Sequence, residues 1–272
     1  MTVLPIVLAS TFVFAADPGT IVIAPDTLID VGGHKLRFDV REGSRPFTVV
    51  LEAGGGTDAS SWASVPDSLA RQSKATIVTY DRAGLGGSEL GPVDLTPEEE
   101  VRHLRHALDQ LGTPEPTILV ATSYGAMLAI LHAGIYPEHV RGLVLVDPMN
   151  SVFVHETGDF VQSTVPDIAE PENDRERVIV RMKRSFSDLT TRTAAIEPGL
   201  KVPIVVVTAG EPWWGSEEID RAWRQAHEVI ARRSPDREMV VAEGSDHDVP
   251  EKRPDVIVDA VERVLTKLDD GK

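Results

Sequence analysis

From Asp26 to the C-terminus the chain alternates short β-prone runs with stretches of helical periodicity, which restricts it to a mostly parallel sheet with helices on both faces. Strands are expected near residues 27–31, 35–41, 48–52, 75–80, 117–121, 140–146, 204–208 and 238–242. Helices fit 62–72, 97–111, 125–135, 217–233 and 255–268. Gly32-Gly33 reads as a hairpin turn, so the first strands form an antiparallel edge. In the second helix Val101, Leu104, Leu108 and Leu111 recur at helical spacing and make a buried stripe. The alternation breaks between Pro148 and Lys201, where charged sequence carries Pro166, Pro171 and Pro198. Val178, Ile179, Val180, Met182 and Phe186 are interleaved with charges there, as in a helix. The expected division is a core over 26–147 and 202–272 and a small helical lid over 148–201. The lid would cover the sheet edge where open α/β sheets bind ligands.

Residues 1–25 stand apart as an N-terminal extension. The apolar run 3–16 ends in Ala15-Ala16-Asp17, which has the length and small-residue end of a secretory leader and is too short to span a bilayer. It has no basic residue before it, so an exported protein with a cleaved leader and a cytoplasmic one with an extra packed segment both stay open.

The run Ile118-Leu119-Val120-Ala121-Thr122 stops at Ser123, followed by Tyr124-Gly125-Ala126-Met127 and a helical pattern. That is the layout of a nucleophile elbow, in which a serine on a strained strand-to-helix corner projects its hydroxyl beyond the sheet. Ser123 is the candidate nucleophile, and the Tyr124 N–H is one donor of an oxyanion hole. Ala121 stands where the G-x-S-x-G pattern has its first glycine; its small side chain keeps the tight approach. A plain strand, turn and helix capped by Ser123 has the same local signature.

Three further motifs bear on that choice. Residues 49–57 run from a strand into Gly54-Gly55-Gly56, where glycines let backbone N–H groups approach a ligand; Gly55 is the candidate second oxyanion donor. In Tyr80-Asp81-Arg82-Ala83-Gly84-Leu85-Gly86-Gly87-Ser88 the glycines permit a sharp loop, and Asp81 and Arg82 are read as structural, bonding loop backbone or each other. No helix starts there, which rules out a dinucleotide site. In Glu243-Gly244-Ser245-Asp246-His247-Asp248, His247 is the candidate general base, since imidazole titrates near neutral pH. The remaining histidines, among them His34, His103, His132 and His227, read as surface or packing residues.

The absence of cysteine excludes thiol catalysis and thiolate metal sites. The formal charge of −16 repels nucleic acid and anionic membranes. No cofactor, metal or stable membrane insertion is expected, and the oligomeric state is open.

Together the glycine loop after the third strand, Asp81-x-x-Gly84-x-Gly86-x-Ser88 after the fourth, the serine elbow after the fifth and a late histidine resemble the α/β-hydrolase fold superfamily, from about Asp26 to the final helix. The resemblance implies a predominantly parallel central sheet flanked by helices and a Ser, acid, His order. It also shows a departure: Ala53-Gly54 replaces the usual His-Gly pair, removing a side chain that braces the oxyanion loop. In such families the acid follows the seventh strand, where only Glu211 is offered, or the sixth, where Asp147 stands at the strand end. Asp147 is favoured to orient His247, with Glu211 as the alternative. Trp62, Met149, Phe153, Trp213 and Trp214, with Val152 and Phe160 nearby, are candidate walls of an apolar pocket. The expected function is a serine esterase or lactonase acting on a small hydrophobic ester or lactone through an acyl-enzyme. A noncatalytic ligand-binding protein of the same fold and a cofactor-free perhydrolase are the alternatives.

Overall fold

Parallel strands sandwiched between two helical layers have no solvent face, which is why they are written as continuous apolar runs. In the computed structural model, which describes residues 23–158 and 160–270, eight strands follow in chain order. They are β1 (Ile23–Asp30), β2 (Lys35–Arg41), β3 (Thr48–Glu52), β4 (Thr76–Tyr80), β5 (Thr117–Thr122), β6 (Val140–Val146), β7 (Ile204–Ala209) and β8 (Arg237–Ala242). Among the described residues they form one sheet in the order β1-β2-β4-β3-β5-β6-β7-β8. β2 is antiparallel to both neighbours, and the later pairs are parallel. Every residue of β3, β4, β5 and β7 is buried.

The helices are α1 (Pro66–Ser73), α2 (Pro97–Leu111), α3 (Tyr124–Ile135), α4 (Ser151–Thr157), α5 (Phe160–Thr164), α6 (Asp174–Ile196), α7 (Glu217–Ala231), α8 (Val249–Lys252) and α9 (Pro254–Asp270). The period-2 pleat sorts the strand residues between two cores. Val49 and Leu51 face one side with Leu69 of α1 and Ile257 and Val261 of α9. Val50 faces the other with Leu104 and Leu108 of α2 and Ile130 of α3. A third cluster joins Met127 and Leu131 of α3 to Phe153, Phe186 and Trp223. Covered on all sides, α3 is apolar around its whole circumference, with Tyr124 through Ala133 buried.

Helix ends follow local chemistry. Thr96 and Glu99 form a reciprocal capping box at the start of α2, Pro97 occupies its first turn, and Gly112 ends it in the left-handed region at φ 64°. Two sequence expectations are corrected. Helix α1 starts at Pro66 rather than Trp62, because Ala59–Trp62 is a separate 3-10 turn and Pro66, lacking an N–H, suits a first helical position. Trp62 is fully buried beside Val65 and Leu69, so it belongs to the core and not to a ligand wall. Burying a large apolar side chain is worth about 1.5–3 kcal/mol, which favours the core for it. Helix α6 continues beyond Phe186 to Ile196; there the hydroxyls of Thr190 and Thr193 bond back to the carbonyls of Phe186 and Leu189 at 2.8 and 2.9 Å. The apolar run 3–16 lies outside the described residues, and β1 begins at Ile23, within the span expected to precede the core.

Candidate active site

Strand register brings two loop residues to one sheet edge. Thr122 of β5 pairs with Val146 of β6, and Val146 with Val207 of β7, so Ser123 and Asp147 leave adjacent strands side by side. Ser123 N–H donates to Val146 O at 3.1 Å, and Asp147 N–H donates to Val207 O at 2.6 Å.

Ser123 has φ 51° and ψ −124°, a conformation that costs a non-glycine residue about 1–3 kcal/mol. Its carbonyl anchors the strained turn by accepting from Ala126 N at 3.0 Å and Met149 N at 3.1 Å. Gly125 is obligatory beneath it: a Cβ there would lie 2.4 Å from Ala53 O. Ala121 is fully buried at the strand end, so the departure from glycine is accommodated. Tyr124 opens α3, in the first turn where backbone N–H groups lack an intrahelical acceptor.

His247, between β8 and α8, places Nδ1 2.7 Å from Asp147 Oδ2. A carboxylate only accepts, so Nδ1 carries a proton, and in the neutral ring Nε2 is then the acceptor. Asp147 is wholly buried, and its other oxygen, Oδ1, accepts from Ala209 N at 2.9 Å and Trp223 Nε1 at 3.0 Å. Burial pushes this carboxyl up. The hydrogen bonds from His247 and from the Ala209 N–H outweigh burial and hold it below the usual carboxylate value. Glu211, the alternative acid, is exposed, and among the described residues its side chain makes no hydrogen bond or ion pair with His247. Nor does Ser123 Oγ make a hydrogen bond among the described residues. Such bonds commonly tighten only once substrate is bound.

Two contacts of this carboxylate are not visible in the sequence pattern. Trp223 sits on the buried stripe of α7, where an indole N–H needs an acceptor. His227, one helical turn further on, is fully buried with Nε2 3.0 Å from Pro148 O, Nδ1 2.8 Å from Thr208 Oγ1, and Nδ1 3.8 Å from Asp147 Oδ1. Burial lowers its pKa, so it is a neutral bracket beside the acid.

Of the remaining aromatic candidates, Trp213 stacks on the His247 ring, centroids 4.0 Å apart at 20°. Trp214 stacks behind Trp213 at 4.1 Å, and Phe153, fully buried against Trp214 and Trp223, is core packing like Trp62 and not a ligand wall. Met149 lines a cavity of about 240 Å³ together with Gly55, Tyr124 and, from α6, Ile179, Met182 and Phe186. A larger depression, about 480 Å³, lies at the opposite sheet edge around Pro46, Pro116 and Pro203. The smaller cavity is the candidate ligand site, because it adjoins the carboxyl ends of the strands.

Helix α6 is tied to the core around this cavity. Arg181 donates to Ala83 O at 2.9 Å and Glu100 Oε1 at 3.0 Å, and Arg175 Nε donates to Gly56 O at 2.8 Å. The Asp81-Arg82 motif divides its work. Asp81 accepts from Ala59 N and Gly87 N, both at 2.8 Å, whereas Arg82 bonds not to Asp81 but to Glu52 and the carbonyls of Ala53 and Gly54. Among the described residues no cluster of three or more His, Cys, Asp or Glu could hold a metal ion, and no helix is long and apolar enough to cross a membrane.

The strand order, the turn at Ser123 and the Asp147–His247 pair at the sheet edge define a class that comparison with known proteins identifies. The chain belongs to the alpha/beta hydrolase family, whose model matches residues 49–260. It is 26% identical over 234 residues to the uncharacterized protein YqjL of Bacillus subtilis (strain 168), covering 84% of this chain and 87% of that protein. Its fold is similar to that of the enol-lactonase from Burkholderia xenovorans LB400, with TM-score 0.66 and 19% identity over 88% of this chain and 100% of that one. It is also similar to the proline iminopeptidase of Mycobacterium smegmatis, with TM-score 0.65 and 17% identity over 90% and 99%.

Proposed function

We propose that this protein is a serine hydrolase that cleaves a carboxylic ester or lactone with a short apolar acyl portion. The carrying observation is the 2.7 Å bond from His247 Nδ1 to the buried Asp147, one strand from the strained Ser123 turn. Asp147 fixes the tautomer, His247 Nε2 takes the Ser123 proton, and Ser123 Oγ attacks the substrate carbonyl. The Gly55 and Tyr124 N–H groups hold the resulting oxyanion. Collapse expels the alcohol, which His247 protonates, and leaves an acyl group on Ser123; water, deprotonated by His247, releases it as the acid. Helices α4–α6 serve as the lid, and the cavity at Gly55 takes the acyl chain.

Cavity size sets a chain length. Drug-sized ligands occupy pockets of about 300–1,000 Å³, so a space near 240 Å³ suits a smaller group. Para-nitrophenyl esters of increasing acyl length would therefore show highest kcat/KM between about four and eight carbons, with a fall by twelve. A fluorophosphonate probe would add one adduct by intact mass, lost in Ser123→Ala. An unlabelled Ser123 in folded protein would remove the hydrolase reading and leave ligand binding.

A further inference from the structure

We infer that Arg82 is a positioning residue for the oxyanion hole, aiming the Gly55 N–H by gripping the carbonyls that precede it; this rests on the hydrolase reading above. Glu52 ends β3, Arg82 follows β4, and both are 3% exposed. Arg82 Nη1 lies 2.6 Å from Glu52 Oε1, and the Tyr80 hydroxyl donates to Glu52 Oε2. A buried ion pair seldom stabilises a fold more than apolar residues of equal volume would. Its position beneath this loop supplies another reason for it.

The guanidinium's other hydrogen bonds go to the loop, from Nη1 to Ala53 O and from Nη2 to Gly54 O, each at 2.5 Å, and its carbon lies 5.8 Å from the centroid of the Tyr124 ring. The Gly54–Gly55 peptide is trans, and in a planar trans peptide the N–H points opposite to the C=O. Fixing Gly54 O on Arg82 therefore turns the Gly55 N–H away from the core, into the space between the loop and the Ser123–Tyr124 turn. The two segments are in close apposition: a Cβ built on Gly54 would lie 3.5 Å from Ser123 Cβ, and one on Gly55 3.4 Å from Tyr124 Cβ. Three consecutive glycines, Gly54 to Gly56, loosen the peptide planes; Gly56 sits at φ 66°, and the local tie on the Gly54 carbonyl is a long 3.4 Å bond from Thr57 N–H. No side chain at position 53 can brace the loop, since alanine stands there. Arg82 supplies that restraint from below. Its planar fork can span a carboxylate and two carbonyls, which an ammonium cannot do.

Arg82→Lys keeps the charge opposite Glu52 and removes the fork. With a chromogenic ester, kcat should fall by about ten- to a hundredfold while KM stays within about threefold, because a donor misplaced by an ångström loses transition-state binding and little else. A trifluoromethyl ketone, which forms the oxyanion on Ser123, should lose affinity by the same factor. The methyl ketone of equal chain length, bound unreacted, should not. If Arg82→Lys does not fold, Glu52→Gln decides: it keeps the volume and loosens the grip, and a kcat loss with unchanged methyl ketone affinity supports the inference. A folded variant with kcat within about threefold of wild type, or equal losses for both ketones, overturns it. Failure of the hydrolase reading would look different, since wild-type protein itself would neither turn over ester nor take the fluorophosphonate label.

Discussion

Replacing Asp147 by asparagine tests the candidate site through one proton. Oδ1 of the present carboxylate accepts from Ala209 N–H and Trp223 Nε1–H, while Oδ2 accepts from His247 Nδ1–H. The asparagine amide has one oxygen, and two buried donors compete for it on the Oδ1 side. Leaving those two donors unpaired would cost about 1–3 kcal/mol each, so the oxygen stays there and the NH₂ faces His247. Facing a donor, Nδ1 must become the acceptor, which moves the ring proton to Nε2. That tautomer cannot take a proton from Ser123. The expected loss in kcat is about 10⁴-fold, near 5.5 kcal/mol, with the fold intact. The assay is ester turnover against active-site concentration, with thermal unfolding as the control for folding and Glu211→Gln as the control for the acid. Asp147→Ala should differ in kind: it orphans both buried donors and opens a cavity, so Tm falls as well as kcat. Folded Asp147→Asn protein turning over within about tenfold of wild type would refute the reasoning, and so would an inactive Glu211→Gln.

Other perturbations follow from contacts around the site. Trp213→Leu removes the face on which His247 stacks; losing about 1 kcal/mol of support for the imidazolium should lower kcat about fivefold, with Trp213→Phe largely restoring it in the same assay. Gly125→Ala drives a Cβ against Ala53 O and should cost about 1–3 kcal/mol or more in urea unfolding, whereas Gly199→Ala, with nothing within 4 Å, should be near neutral. His132, buried on α3, has its pKa lowered by burial to about 3 from 6.5. A folded pKa below the unfolded one means that the unfolded chain takes the proton first, so stability is full above pH 6.5 and falls as pH drops. By pH 5 this group alone should remove about 2 kcal/mol, measured as a urea midpoint that falls less steeply with acid in His132→Leu.

What the sequence made legible, and what it hid, follows from how each feature is held together. Strands such as β3 and β7 announce themselves because both faces are buried and the whole run must be apolar. The Ser123 turn is legible because Gly125 must lack a side chain where α3 crosses Ala53. Asp147 could be placed only as a residue ending a strand on the same edge; its choice over Glu211 depended on a ring contributed one hundred residues later. Trp223 and His227 look like ordinary residues of an amphipathic helix, because their role appears only when α7 docks against the end of β6. The Glu52–Arg82 pair is equally silent: a strand-terminal glutamate and a loop arginine signify burial only once β3 and β4 lie side by side. Trp62 misled because an aromatic next to a glycine loop has the same local sequence whether it points inward or toward a ligand.

The anchoring of α6 has an evolutionary reading. One face of this helix is bolted down by Arg181, while neighbouring positions, Ile179, Met182 and Phe186, border the cavity. Exchanging those three for larger or smaller residues alters which molecules fit without loosening the bolt. Under the proposed function, acyl preference could thus be altered by single substitutions on α6, while Ser123, Asp147 and His247 lie on other segments.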